Sequence, residues 1–400
     1  MTGRSSNGSL EYLASPVAIR DSAVLIADLT RRGDGVFMLD ESRLDVVADR
    51  VVDSIRRRYP DIDVPFHSRW RHFEIQGIDS LRRLNDATAE SSPIELARTG
   101  LDLIIPSVLV DAGAGARWRF RTRSGPVLSR SEGLAIASIE MFLAGTFSAD
   151  SAQPLRTDAE ALIALELGDF AEGMQSSAEN PLIGLENRLL LLQQLGEIIQ
   201  REPSIFPNAR LGDLADHFVA NSDSEVSATE ILSVILRLLG SMWPRRIGVS
   251  GVNLGDAWRY SPPNTERETI VPFHKLSQWL TYSIAETLLR SSYAVRDIEQ
   301  LTGLAEYRNG GLFIDSDVLR LKPDFIESSY PIESRTIIEW RALTVYLLDQ
   351  TAERVRSILN RELSLTSILE GTWHVGRELA YQRNPSGDSP LQIDSDGTVF

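Results

Sequence analysis

The stretch Thr336-Ile-Ile-Glu-Trp-Arg-Ala-Leu-Thr-Val-Tyr-Leu-Leu348 is apolar nearly all round. A helix that is hydrophobic on every side has to be buried, so this segment reads as a central helix. The sequence on either side is helical too. Val36 to Tyr59 places Leu44, Val47, Val51 and Ile55 three to four residues apart, on one face. Ser129 and Glu132 have the spacing of a capping box ahead of a helix over Leu134–Phe147. Pro181 to Gln200 buries Leu185, Leu189, Leu192 and Ile198. Glu225–Leu239 is amphipathic and is ended by Pro244. After Pro272, the residues Phe273, Leu276, Leu280, Ile284 and Leu288 form one stripe. Strand signals are few: Arg117–Phe120 and Val127–Leu128 flank a Ser-Gly-Pro turn and read as one hairpin. The expectation is a mainly α fold, a single large helical unit over residues 11–400 with a small β-hairpin element. Its candidate subdomains are 11–125 and 126–400. No internal repeat and no low-complexity linker interrupts it.

Composition narrows the function class. Of 400 residues, 42% are hydrophobic and 24% charged, as in an ordinary globular protein. A net charge of -15 argues against nucleic acid as a partner, because phosphate binding needs a cationic face. With no cysteine, disulfides, thiolate metal sites and cysteine nucleophiles are all excluded. Residues 1–10 are polar and Gly/Ser-rich and read as a disordered tail without an apolar signal core. No run of about 18 apolar residues occurs, so no membrane span is expected. A cytoplasmic protein is the expectation, with an oligomer left open.

Three short segments concentrate polar chemistry beside aromatic rings: Asn253-Leu-Gly-Asp-Ala-Trp-Arg-Tyr260, Val271-Pro-Phe-His-Lys-Leu-Ser-Gln-Trp279 and Glu306-Tyr-Arg-Asn-Gly-Gly311. That mixture is typical of a ligand pocket. Asp256 beside Trp258 fits a carboxylate that stabilises a sugar oxocarbenium ion or activates a water. Taken alone, it fits a helix N-cap or turn aspartate better, since such residues are common in Gly-Asp contexts. His274 and Lys275 open a helix, with Gln278 one turn on from His274, and free N–H groups there could hold an anion. A partly exposed first turn without a ligand is the plainer alternative. Tyr307 and Arg308 join a ring to a guanidinium able to fork onto phosphate or carboxylate. They are also compatible with a helix C-cap that puts Gly310 in the left-handed conformation.

Other clusters say less. His67 and His72, five apart, do not share a helical face, so metal binding is not expected. The Gly-rich run between Asp111 and Trp118 lacks both the dinucleotide fingerprint and the Gly-Lys-Ser/Thr of a P-loop, yet it lets the chain approach a ligand closely. Asp394-Ser-Asp-Gly-Thr398 matches a phosphatase nucleophile motif but has no α/β domain after it. It reads as a turn-forming tail that docks on the body, or as a lid.

Taken in order, Pro65–Glu74, Pro106–Trp118, Arg130–Leu134, Asn180–Leu185, Val271–Tyr282, Leu301–Leu312, Glu339–Leu343 and Asp394–Phe400 resemble the uracil catabolism protein 4 (Urc4/Urg3) family. The resemblance implies a part in a route from uracil to urea and a three-carbon acid, through a ribosylated urea. A more distant likeness, carried by Leu301–Arg308, Phe273–Gln278 and Ile338–Ala342, is to the queuosine salvage N-glycosidases. It implies a helical, DNA-glycosylase-like fold and gives Asp256 the position of the catalytic aspartate. The Gly/Ala loop at 106–118 departs from those proteins, and a smaller leaving group such as urea suits it better.

The combined expectation is hydrolysis of the N-ribosyl bond of ribosylurea or its 5-phosphate, with no cofactor and no metal. In it Asp256 is catalytic. Trp118, Trp258 and Tyr307 are walls, Asp111 is a rim, and His274, Lys275, Gln278 and Arg308 hold the ribosyl or ribosyl-phosphate part. Two other readings stand beside it, an amide-hydrolysing or ring-opening step on a uracil nucleotide and a non-catalytic uridine-nucleotide sensor.

Overall fold

Helix Arg335–Leu359 contains the apolar run and is buried at every position from Thr336 to Leu348 except Tyr346. It starts on Ser334, whose Oγ accepts from Ile337 N, and ends on Asn360 in the left-handed conformation. The computed structural model describes residues 9–111, 113–220, 225–243, 247–263 and 268–394. Among them are fifteen α-helices and only two-stranded strand pairs, so the fold is mainly α. No helix among the described residues is long and apolar enough to cross a membrane.

The chain divides into two compact units, each assembled from separated stretches of sequence. The first comprises Met1–His67, Trp243–Gln278 and Asp297–Phe400. In it, helix Arg335–Leu359 packs against Pro16–Arg31 and Leu44–Arg58, while Tyr307–Asp315 packs against Leu365–Arg383. Leu44, Val47, Val51 and Ile55 are fully buried, as their spacing requires. Burying each such side chain is worth about 1.5–3 kcal/mol. The helix is shorter than the expected span, because Phe37–Leu39 pairs as a strand with Leu319–Leu321 and a 3-10 turn at Glu41–Arg43 follows. Strands Ala257–Tyr260 and Thr269–Pro272 form an antiparallel ribbon with Ala257 opposite Pro272.

The second unit comprises Ser68–Met242 and Trp279–Arg296. Helix Pro93–Leu109, buried from Thr99 onward, packs against Arg130–Leu143 and Asp213–Ala220. Helix Arg130–Leu143 begins earlier than expected, and the capping box does not form: Ser129 makes no side-chain cap bond. Arg130 at φ +56° turns the chain sharply where the box would need an ordinary helix entry. The helix stops short of Phe147 because Gly145 is left-handed. Gly145 N then bonds Phe142 O and Thr146 N bonds Met141 O, a Schellman ending. Helix Leu185–Arg201 starts after a left-handed Gly184, and Ala228–Leu239 after the short strand Val226–Ser227. The expected hairpin is present as Phe120–Arg121 paired with Val127–Leu128.

The expected tail lies outside the described residues apart from Ser9 and Leu10, which open helix Leu10–Leu13. Pro244 also lies outside them, as do Ser395–Phe400 of the terminal motif. Ile393–Asp394, just before those residues, pairs in parallel with Tyr330–Pro331.

Candidate functional site

Asp256 sits between a left-handed Gly255 and the first strand of the ribbon. Its main-chain oxygen accepts from Phe273 N and His274 N at 2.9 and 3.2 Å. Its carboxylate Oδ2 accepts from Lys275 N at 3.0 Å, at the first residue of helix Lys275–Arg290. The anion favoured by a helix start is therefore the protein's own side chain. Arg341 reaches it from the central helix in a fork, Nη1 to Oδ1 and Nη2 to Oδ2, both 2.7 Å. Trp258 Nε1 completes the set with a 2.8 Å bond to Oδ1. Two oxygens thus accept four donors, which fills the acceptor capacity of a carboxylate.

Burial alone would raise the pKa of Asp256. The charge and hydrogen bonds of Arg341, with those of Trp258 and Lys275 N, outweigh it and bring the value to about 2. Asp256 is an anion at any physiological pH. It offers no free lone pair to a proton or a water unless one donor leaves, so its chemistry in this arrangement is that of a fixed negative charge. Arg341 is 1% exposed, and its guanidinium carbon lies 4.1 Å from the Phe273 ring centroid.

The first unit also holds most of the residues singled out in the sequence. His274, at φ +48°, is buried, and burial lowers its pKa. Its Nε2 donates to Leu13 O at 2.8 Å, which makes it a neutral strut between segments. Lys275 is half-buried at the helix start. Gln278 is buried, donates from Nε2 to Thr302 Oγ1 at 2.9 Å, and leaves Oε1 without a partner.

Tyr307 and Arg308 do not end a helix. They begin one, Tyr307–Asp315, with Glu306 as N-cap accepting from Arg308 N and Asn309 N. The expected C-cap role of Gly310 is therefore corrected. Gly310 and Gly311 lie inside the helix, and a Cβ on Gly310 would come within 2.7 Å of the Trp340 ring. Close packing, not a turn, is why glycine stands there. Arg308 is buried, donates to Gly387 O and lies 4.7 Å from the Tyr307 ring centroid.

A second polar knot in the first unit centres on Glu370. It receives His67 Nδ1 at 2.7 Å, His374 Nε2 at 2.9 Å and Tyr59 OH at 3.2 Å. Burial raises its pKa, and the two histidines more than reverse that, holding the carboxyl well below the ordinary range. Among the described residues no group of three or more His, Asp or Glu side chains could hold a metal ion.

Asp111 and Trp118 belong to the second unit. Trp118 is fully buried, donates to Met174 O at 3.0 Å and rests on Gly133, where a Cβ would come within 2.8 Å of the indole. Arg188 fastens the Gly-rich run by donating to Val110 O and Gly113 O, both at 3.0 Å. Asp111 pairs with Arg69, which is wholly buried, but through one contact only, Nη1 to Oδ2 at 2.8 Å. Arg69 Nε donates to Ser107 Oγ at 2.8 Å. Arg69 Nη2, Asp111 Oδ1 and the indole Nε1 of neighbouring Trp279 make no hydrogen bond. Each buried orphan of this kind costs about 1–3 kcal/mol.

Arg341, Arg69 and Trp279 were not among the site residues expected from sequence, although Trp279 closes the segment Val271–Trp279. The signal for Arg341 is a charge inside an all-round apolar helix, and that for Arg69 is a guanidinium within the aromatic cluster 67–73.

The sequence from residue 12 to 400 matches the model of the family described as "Protein of unknown function (DUF1688)". The chain belongs to this family. All four members of the two arginine–aspartate pairs fall within the DUF1688 match. The chain is 39% identical over 380 residues to "Protein urg3" of Schizosaccharomyces pombe, covering 91% of this chain and 92% of that protein. It is 33% identical over 433 residues to "Uracil catabolism protein 4" of Lachancea kluyveri, covering 98% and 99%.

Proposed function

We propose that this DUF1688 protein is an enzyme of uracil catabolism that hydrolyses the N-ribosyl bond of ribosylurea or its 5-phosphate. The observation that carries the pathway is the end-to-end similarity to a relative named uracil catabolism protein 4. In the reaction the bond between C1′ and the urea nitrogen breaks, water supplies hydroxide to C1′, and its proton leaves with urea. The transition state carries positive charge on the ribose ring.

What supports a glycosidic step is the permanently ionised Asp256, flanked by Trp258 and Phe273 at the mouth of a helix. Its proposed role is electrostatic, opposing the developing oxocarbenium charge. The filled lone pairs argue against its acting as nucleophile or general base. Lys275, Tyr307 and Arg308 are the proposed contacts for ribose hydroxyls or the phosphate.

The test is incubation of the purified chain with ribosylurea and with its 5-phosphate, reading urea release. Absence of urea from both would overturn the reaction. Because Asp256 stays charged down to about pH 2, any loss of rate between pH 7 and pH 4 has to come from another group.

A further inference from the structure

Two of the buried arginine–aspartate pairs, Arg341–Asp256 and Arg69–Asp111, differ in one respect. Arg341 and Asp256 are joined by two parallel bonds, and every lone pair of the carboxylate is used. Arg69 and Asp111 are joined by one, so a guanidinium nitrogen and a carboxylate oxygen remain unbonded in a buried place. A fork, had it formed, would have satisfied both atoms. Native proteins seldom leave such groups unpaired without a use for them.

The orphans surround one guanidinium. Its carbon lies 5.8 Å from the Trp279 ring centroid and 5.9 Å from that of Phe73. Trp279 adds a third unbonded polar atom, its indole N–H. The set is therefore two donors, one acceptor and two flat rings. An anionic ligand is opposed by the Asp111 carboxylate and a cation by Arg69, so the pair selects an uncharged group. That group must accept at one edge, donate at the next, and be flat enough to lie against the rings. Phe73 also lines a cleft of about 450 Å³ in the same unit, together with Ile75, Gln76 and Ile78. Beyond Asp111, Gly113 has open space where a Cβ would be.

We propose that Arg69, Asp111 and Trp279 bind a planar ureido group, the N–CO–N unit shared by ureas and the uracil ring. The carbonyl oxygen accepts from Arg69 Nη2 and Trp279 Nε1, and a ureido N–H donates to Asp111 Oδ1. The choice of a ureido ligand rests on the pathway proposed above, whereas the place rests on the orphaned atoms.

The experiment is a ligand-observed NMR titration of the full chain with N-methylurea, which carries the ureido unit but no bond that the proposed hydrolysis breaks. Tetramethylurea, which has no N–H, is the control. Wild type is expected to bind N-methylurea at least fivefold more tightly than tetramethylurea. Asp111→Asn, which turns the acceptor into a donor, and Trp279→Phe, which removes only an unbonded N–H and some ring volume, should each abolish that preference. Circular dichroism establishes that the variants are folded, and Trp279→Phe serves if Asp111→Asn is not. An unchanged preference in folded variants overturns the assignment, as does equal binding of the two ureas by wild type. Binding with the expected pattern but without urea release from ribosylurea upholds the site and removes the hydrolase reading.

Discussion

Substituting Asp256→Asn is the most informative single change, because it removes one buried charge whose four hydrogen-bond donors are known. Asparagine keeps one acceptor oxygen and replaces the other with an NH2 that faces Arg341 in either orientation, together with Trp258 Nε1 at one position or the Lys275 amide at the other. Arg341, 1% exposed, loses the carboxylate charge of Asp256 that it forks onto. Breaking a buried pair on one side costs about 3–5 kcal/mol, or roughly two to three and a half decades in an opening equilibrium at 1.4 kcal/mol per decade. Native-state hydrogen exchange of the amides in Arg335–Leu359 reads this directly, since those amides should open only with the unit as a whole. Adding Arg341→Met removes both charges and should restore more than half of the lost protection. Exchange of Asp256→Asn within tenfold of wild type, or a double variant equal to the sum of the singles, would refute the reasoning. The acid side carries the same signature. A folded pKa of about 2 against an ordinary 3.8 is worth about 2 kcal/mol of stability. That stability is present above the ordinary value and is lost as pH falls through about 2.

Three further outcomes are expected. Gly376→Ala drives a Cβ into the Arg308 carbonyl oxygen, a backbone atom that cannot swing aside; thermal unfolding should show a loss near the top of the usual 1–3 kcal/mol for overpacking. Ser364→Ala removes the cap that accepts from Ser367 N and should cost about 1 kcal/mol in urea unfolding, whereas Ser129→Ala, at a cap that makes no bond, should stay within about 0.5 kcal/mol. Glu370, held below its ordinary 4.5 by His67 and His374, contributes stability that is present above that value and lost on acidification; Glu370→Gln should flatten that part of the acid-unfolding curve.

The helical fold was legible wherever one face repeats every three to four residues, as at Leu44–Ile55, or where no face is polar, as at Thr336–Leu348. Boundaries were less so, because the determining contacts are distant in sequence. Phe37–Leu39 leaves the helix only because Leu319–Leu321 is there to pair with it. The interleaving of the two units, with segments 243–278 and 279–296 going to different ones, leaves no linker to read.

At the site, Asp256, Trp258, His274 and Lys275 were legible as a group, and they do meet. Their strongest partner, Arg341, lies 85 residues away and reads locally as one charge among apolar neighbours. The helix C-cap reading of Gly310 failed for a physical reason. Glycine serves left-handed turns and close packing alike, and at Gly310 only the presence of Trp340 distinguishes them.

The most direct measurement of the central claim is release of urea from ribosylurea and its 5-phosphate by the purified wild-type protein. Urea and free ribose, or ribose 5-phosphate, are expected in equal amounts. Binding of either compound at saturation with no urea formed would contradict it.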